Sequence, residues 1–100
     1  MNEEYKLEFT KKYIRKYAKL VSKDKRLRQQ IIDSLKILRV DPFDLKLGSH
    51  KVNLKEFGKV YSSCITGDVR IIWELESSGS VRIIFLLDIG GHSGSKGVYK

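Results

Sequence analysis

The feature that most constrains the fold is the run SVRIIFLLDI at residues 80–89, in which residues 83–87 are all apolar. Successive side chains of a strand point to opposite faces of a sheet, so an uninterrupted apolar run needs cover on both faces. We therefore predict a central strand here. The ending DIGGHSGSKGVYK follows directly, and its glycines let the backbone turn and approach a ligand closely.

Two further strand-like runs precede this one, KVYSSCI at residues 59–65 and DVRIIWEL at residues 68–75. Gly67-Asp68 and the segment 77–80 separate the three runs, and both are typical of hairpin turns. An antiparallel meander follows. By strand parity, one face of the middle run carries Val69, Ile71, Trp73 and Leu75, and the other carries Asp68, Arg70, Ile72 and Glu74. We expect the first set to pack under helices.

The first forty residues predict a strand and two helices. EYKLEF alternates apolar and charged residues, which indicates a strand at 4–9. From Thr10 the period becomes helical, with an apolar stripe at Tyr13, Ile14, Tyr17, Ala18 and Val21 opposite a basic face. A second helix is indicated by Leu27, Ile31, Leu35 and Leu38, with Asp24 as its N-cap and Pro42 ending it by position 41.

Residues 41–58 have no sustained period and are predicted to be a connecting loop with local turns around Gly48 and Gly58. The fold class is therefore α+β, a single domain over residues 1–100: an N-terminal strand, a helical hairpin on one face of a small sheet, then the three-stranded antiparallel meander. The opposite face is predicted to be open. By strand parity Arg70 and Asp68 lie on that face, and His92 follows the end of the central strand.

The net charge of +8 is concentrated near the N-terminus, since residues 1–40 hold 12 basic and 5 acidic side chains. A basic surface of this kind attracts polyanions, so nucleic acid, the ribosome or an acidic protein segment are candidate partners. A solvated helical surface explains the charge equally well. The candidate nucleic-acid-binding residues on the first helix are Lys11, Lys12, Arg15, Lys16 and Lys19.

Cysteine and histidine usage limits the chemistry. The single cysteine, Cys64, forms no internal disulfide, and two histidines 42 positions apart do not match structural zinc spacing. No metal or cofactor is expected. The sequence shows no secretory leader and no apolar span of 18 residues, so a reducing cytoplasm is the expected location.

The tract ITGDVRIIWEL at 65–75, followed by VRIIFLLDIGGH at 81–92 and a terminal VY, resembles the RelE superfamily of toxins from bacterial and archaeal toxin–antitoxin modules. The YafQ- and HigB-like branches are the most similar. The resemblance covers residues 5–100 in element order (β-α-α-β-β-β), and its specific part is residues 61–99. It implies a metal-independent, ribosome-dependent mRNA endonuclease that inhibits translation and is held inactive by an antitoxin.

In this family the 2′-hydroxyl of the RNA attacks the adjacent phosphate, which requires a base, a cation and an acid. The resemblance assigns these roles among His92, Arg70 and Tyr99. His92 supplies an imidazole, Arg70 a guanidinium for the scissile phosphate, and Tyr99 a phenol that stacks on a base or assists proton transfer. For each, a structural role remains the alternative: an exposed loop histidine, an ion pair of Arg70 with Asp68 or Glu74, and a packed terminal aromatic.

Asp68 and His50 resemble an acidic turn residue and a loop histidine of the YafQ-like branch. Ordinary hairpin chemistry also explains Asp68. Lys51 and Lys55, near His50, are candidate phosphate ligands. The YafQ-like branch has a further histidine where this sequence has Cys64, which leaves His92, His50 and Arg70 to share the work. Two other functions stay open: a ParE-like toxin that inhibits DNA gyrase without nuclease activity, and a weakened toxin that mainly binds its antitoxin.

Overall fold

The computed structural model describes residues 4–91 and 97–99. Two helices lie against a mixed sheet of five strands in the order β1-β5-β4-β3-β2. The elements are β1 (Lys6–Phe9), α1 (Lys11–Val21), α2 (Lys25–Val40), a single 3₁₀ turn (Leu45–Leu47), β2 (His50–Leu54), β3 (Gly58–Cys64), β4 (Val69–Ser78) and β5 (Val81–Gly91). The predicted α+β class is confirmed.

The apolar run that predicted a central strand forms β5, which lies between β1 and β4. The antiparallel meander β3-β4-β5 is also present, and Gly79 at φ +59° makes the tight turn between β4 and β5. The sheet is not purely antiparallel, however, because β1 pairs with β5 in parallel. A parallel partner is possible here because the helical hairpin carries the chain across from one edge of the sheet before the meander begins.

The prediction that residues 41–58 are a connecting loop is wrong for residues 50–54, whereas the turns predicted around Gly48 and Gly58 are present. The Asp44 carboxylate accepts a hydrogen bond from the Lys46 backbone N–H, and Gly48 at φ +56° then reverses the chain. Residues 50–54 form β2, which pairs antiparallel with β3 at the edge of the sheet. Only Val52 and Leu54 are apolar in this short strand, so its alternation is too brief to be detected as a period.

Both helices begin at a capping side chain, Thr10 for α1 and, as predicted, Asp24 for α2. Thr10 Oγ1 accepts from the Tyr13 N–H and Asp24 Oδ1 from the Leu27 N–H, which satisfies amide groups that have no partner within the first turn. α2 ends at Val40, as the following Pro42 predicts. The main core lies between the helices and the sheet and contains Tyr13, Ile31, Leu38, Leu47, Val69, Ile71, Trp73, Ile84, Leu86 and Ile89.

The orientation of α1 differs from the sequence prediction. Ile14 is 52% exposed and Ala18 also faces solvent, although both belong to the predicted apolar stripe. Lys12 and Lys16, predicted on the outer basic face, have side chains only 27% and 18% exposed and reach the carboxylate of Asp88. The buried Asp88 carboxylate on β5 therefore turns the face of α1 that carries Lys12 and Lys16 toward the sheet. The periodicity of apolar residues in the sequence cannot predict this attraction.

The sheet face opposite the helices, called here the open face, carries a second and smaller apolar cluster. Its buried members are Leu54, Val60, Ile72 and Val98, with Val52, Phe57, Leu87 and Tyr99 packed against them. The prediction that this face is uncovered is therefore wrong at the end where β2 and β3 meet. No helix among the described residues is both long and apolar enough to cross a membrane.

Candidate active site

The strand register brings several polar side chains together on the open face. His50 on β2 lies opposite Ser62 on β3, and Ser62 lies opposite Ile72 of the second cluster. Cys64, two residues further along β3, lies opposite Arg70 on β4. Because directly opposed residues share a face and residues two apart along a strand do so too, all four polar side chains belong to one surface.

Tyr99 reaches the same surface from the C-terminal segment. The Val98 N–H donates to the Gly91 carbonyl at 3.0 Å, and a parallel bridge joins Gly97 to Gly91. The Val98 side chain is 4% exposed within the second apolar cluster. These contacts hold the segment against the sheet, and the Tyr99 hydroxyl forms a hydrogen bond with the buried Ser62 hydroxyl.

His50 is exposed and lies at the start of β2, not in the loop that the sequence predicts. Its Nδ1 lies 3.0 Å from the Gly48 carbonyl oxygen. A carbonyl only accepts, so Nδ1 carries a hydrogen, and in the neutral ring Nε2 holds the lone pair. Nε2 is therefore the atom of His50 that can accept a proton.

A chain of hydrogen bonds anchors the backbone just before His50. Trp73 Nε1 donates to Ser63 Oγ at 2.7 Å, Ser63 and Ser49 are 2.7 Å apart, and Ser49 Oγ donates to the Pro42 carbonyl at 2.6 Å. Since the Ser49 hydrogen is used on Pro42, Ser63 must donate to Ser49. Every hydroxyl in the chain is satisfied, and the start of β2 is fixed to the helix-facing side of β3.

Arg70 is half-buried, and its Nη1 donates to the Thr66 carbonyl at 2.8 Å. Among the residues that the structure describes, it makes no ion pair with Asp68 or Glu74, so the ion-pair alternative is not what holds it. The bond instead fixes the guanidinium against the β3–β4 turn. A guanidinium has five N–H donors, so donors remain for an anion on the open face.

Asp68 is exposed in the β3–β4 turn, where its backbone N–H donates to Thr66 Oγ1 at 3.2 Å. This is the hairpin chemistry that the sequence also allowed. His92, the remaining predicted catalytic residue, lies outside the described residues. Its role stays a prediction.

The predicted nucleic-acid-binding residues fall into two groups. Five are exposed: Lys11, Arg15, Lys19, Lys51 and Lys55. The other two, Lys12 and Lys16, pair with the buried Asp88 carboxylate, at 3.7 Å and 2.7 Å respectively. Lys12 also pairs with Glu56 and lies 5.2 Å from the centre of the Phe57 ring. These two lysines join α1, β5 and the β2–β3 turn.

Sequence reasoning missed the roles of Ser62 and Asp88. Asp88 had a detectable signal, because a carboxylate inside an otherwise apolar run requires a buried partner. Ser62 had none, because a serine in a strand is unremarkable until the register and the C-terminal segment bring it under Tyr99.

Comparison with solved structures identifies the architecture. A YoeB/ParE toxin from Agrobacterium tumefaciens matches with a TM-score of 0.74 at 20% identity, covering 88% of this chain and 99% of that one. A chain of the archaeal RelE–RelB complex from Pyrococcus horikoshii matches at 0.65, with 19% identity and coverage of 88% and 94%. A chain of the E. coli DinJ–YafQ complex matches at 0.68, with 14% identity and coverage of 89% and 94%.

No protein-family model matches the sequence, and no curated protein matches it. The structural matches nevertheless span nearly all of each toxin. The chain therefore has the fold of the RelE/ParE toxin superfamily, as the hairpin and terminal motifs predict.

Proposed function

We propose that this protein is the toxin of a type II toxin–antitoxin pair and that it cleaves mRNA on the ribosome with side chains of the open face. The observation that carries the proposal is the shared surface of His50, Arg70 and Tyr99, gathered around Ser62 and Cys64. An imidazole, a guanidinium and a phenol are together the groups that RNA cleavage by the 2′-hydroxyl requires.

In the proposed reaction, His50 Nε2 accepts the proton of the 2′-hydroxyl, and the 2′-oxygen forms a bond to phosphorus. Arg70 binds the phosphate oxygens as their charge increases. The bond from phosphorus to the 5′-oxygen breaks, and that oxygen takes a proton from the Tyr99 phenol. The products are a 2′,3′-cyclic phosphate and a 5′-hydroxyl. Water returns the imidazole proton to the phenolate, so no metal or redox partner is consumed.

The proposed partners follow from the charge of the chain and from the complexes in which its structural neighbours occur. RelE and YafQ occur in complexes with RelB and DinJ respectively. A basic protein of +8 suits an acidic antitoxin segment that folds on binding. The exposed residues Lys11, Arg15 and Lys19 lie along one side of α1 and suit ribosomal RNA.

The test is controlled expression followed by primer-extension mapping of mRNA ends. The wild type should arrest growth and produce new 5′ ends within translated codons. His50→Gln, Arg70→Ala and Tyr99→Phe should each reduce cleavage, by about 10²- to 10⁴-fold where a proton-transfer group is lost. Matched controls are Tyr61→Phe, whose ring packs against the main core, and Arg26→Ala on the exposed side of α2.

Growth arrest without new mRNA ends would contradict the nuclease. If the arrest then came with inhibition of DNA gyrase in a supercoiling assay, the ParE-like function would replace it. A wild type that neither cleaves nor arrests growth, yet binds its antitoxin, would indicate the weakened toxin.

A further inference from the structure

Ser62 is fully buried beneath the proposed site. Its side chain is polar, so it is not a member of either apolar cluster. Its hydroxyl contacts the Tyr99 hydroxyl, and its cross-strand neighbour on β2 is His50. Burial of a hydroxyl in a sheet without a partner costs free energy, so the contact with Tyr99 satisfies both groups. We propose that Ser62 is a positioning residue that holds the Tyr99 phenol in place for proton donation, an inference that rests on the proposed function.

The contact with Ser62 adds to the packing of Tyr99 against the second apolar cluster. The Val98 N–H donates to the Gly91 carbonyl at 3.0 Å, and the buried Val98 side chain also holds the segment 97–99 against the sheet. The Ser62 hydroxyl binds the far end of the ring, where a contact most restricts the two side-chain torsions of Tyr99.

The direction of this hydrogen bond matters for the chemistry. Only one hydrogen can lie between the two oxygens, and each hydroxyl has one to donate. When Ser62 donates, the phenol hydrogen is not used on Ser62 and can pass to the leaving 5′-oxygen. After the transfer, the same Ser62 hydrogen stabilises the phenolate. Ser62 therefore helps in the transition state without touching the RNA.

The position of Ser62 also sets the separation of the two proposed proton-transfer groups. The Cβ atoms of opposed residues on neighbouring antiparallel strands are about 4.5–5.5 Å apart. Because His50 stands opposite Ser62, a phenol bound to Ser62 is held beside the strand that carries the imidazole. A phenol released from Ser62 would no longer be held at a fixed distance from β2. Small displacements of catalytic groups reduce rates steeply.

The experiment is a double-mutant cycle between Ser62→Ala and Tyr99→Phe, measured as single-turnover cleavage of a ribosome-bound mRNA. Ser62→Ala should lower the rate constant about 10-fold, the order expected from misplacing a group by part of an ångström, while the ribosome concentration at half-saturation stays unchanged. In the Tyr99→Phe background the same substitution should have no further effect. Ser77→Ala is the matched control, because Ser77 lies at the exposed end of β4 and takes no part in the hydrogen-bond chain that anchors the start of β2.

A second measurement does not depend on cleavage. The fluorine resonance of 3-fluorotyrosine placed at position 99 should shift and narrow on Ser62→Ala, as the ring gains motion once the Ser62 contact is lost, and should not respond to Ser77→Ala.

The outcomes separate the two claims. A wild type that cleaves, with Ser62→Ala equally active or with multiplicative effects in the double mutant, would overturn the positioning role and leave the nuclease standing. An unchanged fluorine resonance would overturn it as well. A wild type that fails to cleave would overturn the proposed function, and the catalytic role of Ser62 with it.

Discussion

Lys16 Nζ lies 2.7 Å from Asp88 Oδ1, and the Asp88 side chain is 4% exposed against 18% for Lys16. The carboxylate is therefore the partner that cannot reach water. Lys16→Met would leave it with Lys12 at 3.7 Å and the Ile89 N–H. Since a buried carboxylate that loses its nearest counter-ion is costly, we expect a loss of about 3 kcal/mol in the free energy of unfolding, measured by urea denaturation.

Lys19→Met is the control for this prediction, because Lys19 is an exposed residue on the same helix and a surface change of this kind stays within about 0.5 kcal/mol. Asp88→Asn should cost less than Lys16→Met, since a released lysine head can extend into solvent. Equal stability of the Lys16→Met and Lys19→Met proteins would contradict a structural role for the Lys16–Asp88 pair.

The same contacts divide the basic residues of α1 by function. Lys11→Ala, Arg15→Ala and Lys19→Ala combined should leave stability nearly unchanged but weaken ribosome binding and reduce its dependence on salt, because these side chains are exposed and available to phosphates. Lys12→Ala combined with Lys16→Ala should lower the free energy of unfolding and leave ribosome binding nearly unchanged. Sedimentation of the protein with ribosomes at two salt concentrations, together with urea unfolding, distinguishes the sets.

The contradicting outcome is that the triple variant at 11, 15 and 19 and the double variant at 12 and 16 lose ribosome binding equally, with unchanged stability. That result would show that Lys12 and Lys16 bind RNA instead of holding Asp88.

The chain from Trp73 through Ser63 and Ser49 to Pro42 leads to a third prediction. Ser63→Ala removes the acceptor for Trp73 Nε1, a group in a fully buried side chain. Leaving that donor unsatisfied should destabilise the fold by about 1–3 kcal/mol. Trp73 is the single tryptophan, so its fluorescence emission reports the change directly.

Ser77→Ala, on the exposed end of β4, is the control for Ser63→Ala and should change neither the emission nor the unfolding midpoint. Because the chain also anchors the start of β2, Ser63→Ala should loosen His50, detectable as faster hydrogen exchange of β2 amides. Unchanged exchange would mean that β2 is held by its pairing with β3 alone.

Much of the fold could be predicted from the sequence, because its strongest local patterns agree with the burial and hydrogen bonding of the folded chain. The run at 83–87 had to be an interior strand, and the predicted cap at Asp24 is a local hydrogen bond. β2 could not be predicted, because an edge strand is stabilised by its neighbour and needs little apolar content of its own. The parallel pairing of β1 with β5 is likewise a tertiary event.

The candidate site was predicted in part, for the same physical reason. Strand parity placed Arg70 on the open face, and the register confirms this, since Arg70 stands opposite Cys64. Parity could not reveal that β2 brings His50 alongside Ser62, or that Tyr99 returns to the sheet, because both depend on contacts between distant segments.

Tyr13 leads to the last prediction, which concerns pH. Its hydroxyl is buried in the main core and has no hydrogen-bond partner among the described residues. Burial, with a smaller contribution from the nearby Tyr17, raises the pKa of the Tyr13 phenol well above its ordinary value of 10.0. The folded protein therefore keeps this proton at a pH where the unfolded chain releases it.

The sign follows from proton linkage. Below pH 10 both states hold the Tyr13 proton, and the group has no pH-dependent effect on stability. Above about pH 10 the unfolded state binds fewer protons than the folded state, so the free energy of unfolding falls by about 1.4 kcal/mol per pH unit from this residue. Tyr13→Phe abolishes that contribution and removes an unsatisfied hydroxyl, so at pH 7 it should be within about 1 kcal/mol of the wild type. Urea unfolding at pH 7, 10 and 11 measures the free energy of unfolding of both proteins. Relative to the wild type, Tyr13→Phe should become more stable mainly between pH 10 and pH 11. A constant difference at all three pH values would mean that the Tyr13 phenol ionises in the folded protein as readily as in the unfolded chain.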